Sequence, residues 1–338
     1  MRRAFPIALL CLFGWASPAQ AVNYSNEVLA IGVGARALGM GGAYVAVADD
    51  STAVYWNPAG LTNVPHMEVA AIQQGREDTA LNFGTNEVGS QYFFMSGAAT
   101  LPDLGSLGLA VMRFGVGNID QTTSQIDPST GGPVIKGQFS EQDTAVLVGY
   151  GHAVGKAFDV GVTAKSLFGG TNGLQSDPAD GVTGDATYSY FGADLGMLIK
   201  FGEMTHDLEG LTLGVNLQDA LNTGVAWNTA GGNEAVDMNP KTGLAYSLPF
   251  DFLKDSRSSV TLAIDADPKY STLMHYGIEY WYKDVLAMRA GVRQFTAGTQ
   301  TNEPSFGASF RFYILQVDYA FINYELTPVQ YLSLIVRF

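Results

Sequence analysis

The feature that most restricts this chain is an alternation of apolar and polar residues with period two, repeated along most of its length. Near the C-terminus Phe306, Ala308, Phe310 and Phe312 alternate with Ser305, Gly307, Ser309 and Arg311. Leu315, Val317, Tyr319 and Phe321 follow on one face, with Gln316, Asp318 and Ala320 on the other. Leu332, Leu334, Val336 and Phe338 then alternate with Ser333 and Arg337. Successive side chains of a strand point to opposite faces, so each run predicts a strand with one apolar face. A face-to-face sandwich would show the same alternation. Here, however, an aromatic stands near almost every strand end, as in the aromatic girdles of a membrane barrel.

Fourteen such runs can be traced: 66–73, 89–99, 106–114, 143–152, 158–168, 187–200, 211–219, 240–248, 259–266, 273–282, 286–295, 305–312, 314–324 and 330–338. Connections after odd-numbered runs include 115–142, 169–186 and 220–239, which are long and polar. Those after even-numbered runs include 100–105, 153–157, 283–285 and a near-immediate reversal at Tyr313. Bacterial outer-membrane barrels have even strand numbers, short periplasmic turns and longer outer loops. The segments 267–272, 325–329 and 201–210 depart from that rule in length. The expected fold is all-β: a 14-stranded antiparallel transmembrane β-barrel over residues 66–338, in the outer membrane of a Gram-negative bacterium with both termini periplasmic. No stretch after the first 21 residues holds 18 consecutive apolar residues, so no membrane helix is predicted.

Composition agrees. Charged residues are 15% of the chain and hydrophobic ones 47%, against about 25% charged in soluble domains. A net charge of −14 repels phosphate backbones, so nucleic acid is excluded as a partner. Arg2 and Arg3, the apolar run Ala4 to Trp15 and the small-x-small site Ala19-Gln20-Ala21 predict a signal peptide over 1–21. Cys11, the single cysteine, lies inside it. Disulfides, cysteine-ligated zinc and cysteine nucleophiles are therefore not expected in the remainder. His66, His152, His206 and His275 lack metal-ligand spacing, and no GxSxG elbow occurs. No catalytic residue, metal or cofactor is predicted.

Residues 22–65 precede the first run and do not alternate. They are too few for an independent domain and too apolar for a free tail, which predicts a hatch folded into the lumen. Within them Gly39, Gly41 and Gly42, then Ala48-Asp49-Asp50, then Asn57-Pro58-Ala59 resemble the hatch of the FadL-like outer-membrane transporters in residue type and spacing. The fuller string, MGGAYVAVADD followed by AVYWNPAGL, is more similar still to the PorV/PorQ-like branch of that superfamily. The motif match covers about residues 34–61; beyond it the resemblance is one of architecture. It implies a monomeric barrel whose hatch is shaped by Gly39, Gly41, Gly42, Asp49, Asp50, Asn57, Pro58 and Ala59. The FadL side implies passive uptake of hydrophobic small molecules such as fatty acids and aromatic hydrocarbons. The PorV/PorQ side implies an accessory role in secretion or surface attachment of exported protein cargo. Both remain open, with transport favoured.

The inward register collects Glu68, Lys165, Asp194, Asp265, His275, Glu279, Arg289, Arg293, Arg311, Asp318 and Arg337. Closure of a barrel puts the last run beside the first, so Glu68 and Arg337 are expected neighbours. Glu68, Asp318, Arg289, Arg293, Arg311 and Arg337 then form a lumen charge ladder. Such a ladder either satisfies its own buried charges or anchors Asp49 and Asp50 of the hatch. Leu332, Leu334, Val336 and Phe338 resemble the terminal signal read by barrel-assembly machinery, a second expected partner. Outer-membrane lipid and lipopolysaccharide complete the set, the latter facing the acidic stretch 177–185. Pro249 and Gly277 are candidate strand kinks for a lateral opening.

Overall fold

The computed structural model describes residues 27–76, 90–177, 182–228, 233–249, 257–268, 273–296, 301–325 and 327–338. The expected leader and residues 178–181 of the acidic stretch lie outside the described residues.

Sixteen strands follow one another: β1 (Met67–Arg76), β2 (Ser90–Leu101), β3 (Gly105–Ile126), β4 (Pro133–Val154), β5 (Phe158–Asn172), β6 (Thr187–Lys200), β7 (Leu211–Gln218), β8 (Gly224–Trp227), β9 (Asn233–Ala235), β10 (Asn239–Pro249), β11 (Ser259–Asp267), β12 (Leu273–Tyr282), β13 (Leu286–Phe295), β14 (Glu303–Phe312), β15 (Leu315–Ile322) and β16 (Val329–Arg337). Fourteen of them pair antiparallel in chain order, β7 with β10 across the β8–β9 insertion, and β1 pairs with β16 from Glu68↔Arg337 to Arg76↔Val329. That last pairing closes the sheet into a 14-stranded antiparallel barrel. The remaining two, β8 and β9, form a short hairpin whose first strand continues the sheet beside β6 at Tyr188 and Ser189.

Alternation decides which way each side chain faces. On β15 and β16, Gln316, Asp318, Ala320, Tyr331, Ser333 and Ile335 are buried, while Leu315, Val317, Tyr319, Leu332 and Leu334 are exposed. Leu109, Phe191, Leu262, Ile278, Met288 and Phe306 continue that exposed apolar face around the ring. An apolar outside over a polar inside inverts the pattern of a water-soluble protein, and a bilayer is the solvent that covers it.

Two long connections differ from expectation. The stretch 115–142 is not an open loop: β3 and β4 stay paired as far as Ile126↔Pro133, with register shifts after Val116, Gln121 and Thr122. Its Thr, Ser, Gln and Gly residues do not alternate because neither face meets lipid there, yet the backbone ladder does not need them to. The stretch 220–239 contains the β8–β9 hairpin for the same reason. The short reversals stand where expected, and Tyr313 takes a positive φ of 52° in the tightest of them.

Candidate functional site

The described residues ahead of β1, from Glu27 on, fill the lumen. They form two short helices, α1 (Ala35–Gly39) and α2 (Ala53–Trp56), flanked by 3-10 turns at Glu27–Ala30 and Pro58–Asn63. The local sequence explains the folding. Gly41 and Gly42 end α1 with φ of 67° and 79°, and the Gly42 amide donates to the Ala37 carbonyl at 3.0 Å. Asp50 closes a turn by accepting from the Thr52 amide at 3.0 Å. Asn57 caps the second 3-10 turn by accepting from the Ala59 amide at 3.2 Å, with Pro58 at its first position.

This plug touches all fourteen barrel strands, which places it inside the ring. Ser51 reaches β1 and β2 through Glu68 and Ser96. Leu61 packs against Gly108 of β3 and Gly149 of β4. Val54, Asn57 and Trp56 meet Thr163, Met197 and Asn216 of β5, β6 and β7. Ala46 lies against Gly243 of β10. Asp265 of β11 accepts from the Tyr44 and Val45 amides at 2.6 and 2.7 Å. Glu279 of β12 holds Arg36 at 2.8 Å, and Met40 lies on Gly291 of β13. Gly41, Gly39 and Ala35 meet Ser305, Ala320 and Ser333 of β14, β15 and β16.

The glycine motif works by close approach. A Cβ at Gly41 would stand 2.6 Å from the Val292 nitrogen and 2.9 Å from the Tyr276 oxygen. A Cβ at Gly39 would stand 3.2 Å from the Gly307 Cα, and one at Gly42 would meet the His275 ring. Glycines of the plug thus face glycines of the wall. Gly277 belongs to the same arrangement: it lies under the Met40 carbonyl, so its missing side chain makes room for the plug and does not mark a kink.

Of the two roles left open for the wall ladder, direct anchoring of Asp49 and Asp50 is not found among the described contacts. Asp49 and Asp50 do not meet Arg337. Asp49 pairs with Arg36 of the plug itself, and Asp50 accepts from the Tyr44 hydroxyl at 2.6 Å. Arg36 is the hub. Its Nη1 also donates to Tyr44 at 2.8 Å, and its Nε and Nη2 grip Glu279 bidentately at 2.9 and 2.8 Å. Burial alone would lower the Arg36 pKa, but the adjoining Asp49 and Glu279 carboxylates outweigh it and hold the guanidinium above its ordinary range.

From Glu279 the network runs along the wall. Arg289 donates to Glu279 at 2.5 Å and to Ser309, which bonds Asp318. Gln316 donates to Asp318 at 2.8 Å and accepts from Arg311 at 2.9 Å and Arg337 at 2.5 Å. Arg337 pairs with Glu68 at 2.8 Å, and Glu68 accepts from the Ser51 amide at 2.6 Å. The chain of bonds therefore leaves the plug at Arg36 and returns to it at Ser51. Arg293 is no rung of this ladder; it sits toward the other end of β13 and pairs with Glu303. Lys165, Asp194 and Asp219 make a separate buried cluster, the lysine 2.7 Å from each carboxylate.

Above the plug, on the side of the long β3–β4 hairpin, lies an open cavity of about 330 Å³. Ala30 and Ile31 of the plug form its floor, and Gln74, Phe114, Arg293, Tyr324 and Tyr331 its wall. The Arg293 guanidinium stands 5.4 Å from the Tyr324 ring centre, and Tyr92 meets Tyr331 edge-on at 5.8 Å. Of these wall residues only Arg293 was a sequence candidate. Leu332, Leu334 and Phe338 are exposed on the outer face, Val336 is half-buried, and the Phe338 amide donates to the Met67 carbonyl at 2.9 Å.

No family model matches the sequence, and no curated protein matches it. Solved structures do resemble the fold. The monoaromatic hydrocarbon channel CymD is 13% identical, with 91% of this chain and 98% of that chain covered and a TM-score of 0.61. The toluene transporter TodX of P. putida is 15% identical over 91% and 99%, with a TM-score of 0.59. The toluene transporter TbuX of Ralstonia pickettii is 13% identical over 91% and 98%, with a TM-score of 0.58. At such identities the likeness establishes the barrel fold.

Proposed function

We propose that this chain is an outer-membrane channel for passive uptake of hydrophobic small molecules. The observation that carries the reading is the cavity of about 330 Å³ above the plug, walled by Phe114, Tyr324 and Tyr331 and floored by Ala30 and Ile31. Concave, aromatic-lined sites with few polar groups are what small apolar ligands occupy. The likeness to two toluene transporters and a monoaromatic hydrocarbon channel supports it. In this reading the cavity faces the outside, the short turns face the periplasm, and the plug acts as a hatch. The bonds of Arg36, Asp265 and Glu68 set the threshold for passage.

Uptake of labelled toluene and oleate into cells lacking their own channels tests this. The full chain raises the rate over barrel-free cells; a chain that gives no rise for either compound refutes it. A second reading, docking of exported protein cargo, draws on the projecting β3–β4 hairpin, where Ile126 and Ile135 are exposed. Cargo recovered by mild cross-linking through that hairpin, together with absent uptake, would decide for it.

A further inference from the structure

The lumen wall has two unlike sides, and the plug is fastened to them in unlike ways. Along β12 to β16 the buried inward groups are polar: Glu279, Arg289, Ser309, Gln316 and Asp318. There α1 and the glycine after it are held by Glu279, Ser305 and Ser333. Along β3 and β4 the inward groups are apolar, in facing pairs that descend from the cavity: Met112 with Ala145, Ala110 with Leu147, Gly108 with Gly149. Phe114 of the cavity stands above Met112 on the same face of β3. Leu61 and Val54 fill the space over the two glycines. Among the described residues, β3 and β4 are the one adjacent pair of strands that gives the plug no hydrogen bond or ion pair. Leu61 belongs to the 3-10 turn Pro58–Asn63, and 3-10 turns have poorer hydrogen bonds than α-helices. Its ends are tied: Asn57 donates to the Met197 carbonyl at 3.2 Å, and Thr100 donates to the Val64 carbonyl at 2.7 Å. Within it, among the described residues, one wall side chain makes a hydrogen bond, from Lys200 to Asn63 at 2.7 Å. That lysine is 31% exposed, so water replaces the bond at little cost.

We infer that this turn is the moving part of the plug. It swings off β3 and β4 while Arg36, Asp265 and Glu68 keep their partners, and the apolar stripe it uncovers carries the ligand from the cavity toward the short turns. The inference rests on the transport reading and deepens it. The bonds of those three residues raise the threshold on their own sides of the plug, because breaking a buried pair strands a charge. Over the stripe an apolar ligand takes the place of Leu61. One apolar contact is exchanged for another, and no polar group of the wall is left without a partner.

The described residues contain no cysteine, so paired cysteines can staple either side of the plug. A Cβ at Gly151 would stand 3.1 Å from that of Leu61, and one at Gly39 would stand 3.7 Å from that of Ala320. Both are close to the span of about 3.5–4.5 Å found in disulfides. Uptake of whichever of labelled toluene and oleate the unaltered chain carries is measured in cells before oxidation, after it, and after reduction. Mass spectrometry reads the cross-link, and heat-modifiable migration on gels shows that each variant is folded. Leu61→Cys with Gly151→Cys should lose uptake on oxidation and regain it on reduction. Gly39→Cys with Ala320→Cys should keep uptake throughout. Leu61→Ala needs no bridge and decides the matter should one not form: an emptied leucine site loosens its contact enough to raise uptake about tenfold or more. Leu38→Ala, buried in α1, should not raise it. Loss of uptake in both stapled chains, in the second alone or in neither overturns the inference while the transport reading stands. So does an unchanged rate in Leu61→Ala, or an equal rise in Leu38→Ala. If the unaltered chain takes up neither compound, both fall.

Discussion

Replacement of Arg36 by Met is the sharpest probe of the plug. The change removes a guanidinium whose side chain is 9% exposed and which grips Glu279, itself 1% exposed. Breaking a buried pair costs about 3–5 kcal/mol, because it strands the partner's charge. Here the low end applies. Glu279 keeps Arg289 at 2.5 Å, and Asp50 keeps Tyr44 at 2.6 Å and the Thr52 amide at 3.0 Å. A loss of about 3 kcal/mol corresponds to about a hundredfold in the plug's opening equilibrium. Hydrogen exchange reads that equilibrium amide by amide. The amides of Leu38, Gly42 and Ala48, which donate within the plug to Gly34, Ala37 and Tyr44, should exchange about a hundredfold faster. Wall amides in the β11–β12 and β13–β14 ladders should not change. The double variant Arg36→Met, Glu279→Gln should recover part of the loss. Unchanged plug exchange, or an equal rise in plug and wall, would refute the view that Arg36 fastens plug to wall locally.

Three further outcomes follow from the same geometry. Gly41→Ala forces a Cβ to within 2.6 Å of the Val292 nitrogen at a φ of 67°, so the plug should be displaced and single-channel conductance in planar bilayers should rise. Asn57→Leu deprives the Val45 and Met197 carbonyls of donors at 2.8 and 3.2 Å; a loss of about 1–3 kcal/mol should lower the melting temperature of the folded barrel. Leu109→Arg puts a charge on the exposed face of β3 and should cost about 2–4 kcal/mol in refolding into liposomes, whereas a cost near zero would mean that this face does not meet lipid.

The barrel was legible because lipid imposes alternation. All fourteen runs coincide with strands to within a few residues wherever one face is apolar, and the ladders of β3 and β4 were underestimated only beyond Val116, where that pressure ends. The pairing of Glu68 with Arg337 also followed from ring closure alone. The interior was less legible. Whether the ladder anchors Asp49 and Asp50 was left open, because lumen arginines were read from strand parity and Arg36 belongs to no strand. A signal was present all the same: Arg36 is the lone charge between Gly32 and Ala48, and a lone charge in a segment that folds inward must find acids. The aromatic cavity was out of reach, since Phe114, Tyr324 and Tyr331 come from three separate runs and Gln74 lies just past a fourth.

The bonds between plug and seam tie two events together. Ala35 donates to Ser333 on β16 and Ser51 donates to Glu68 on β1, while Glu68 and Arg337 join those same strands. The plug therefore binds best to a ring whose two edges have met. Coupling of this kind is reciprocal: whatever free energy the closed ring lends to docking, docking returns to closure. A lesion in the plug is felt as a weaker seam, and a lesion at the seam as a looser plug, so assembly of the wall can be inspected from within before the lumen ever meets a ligand.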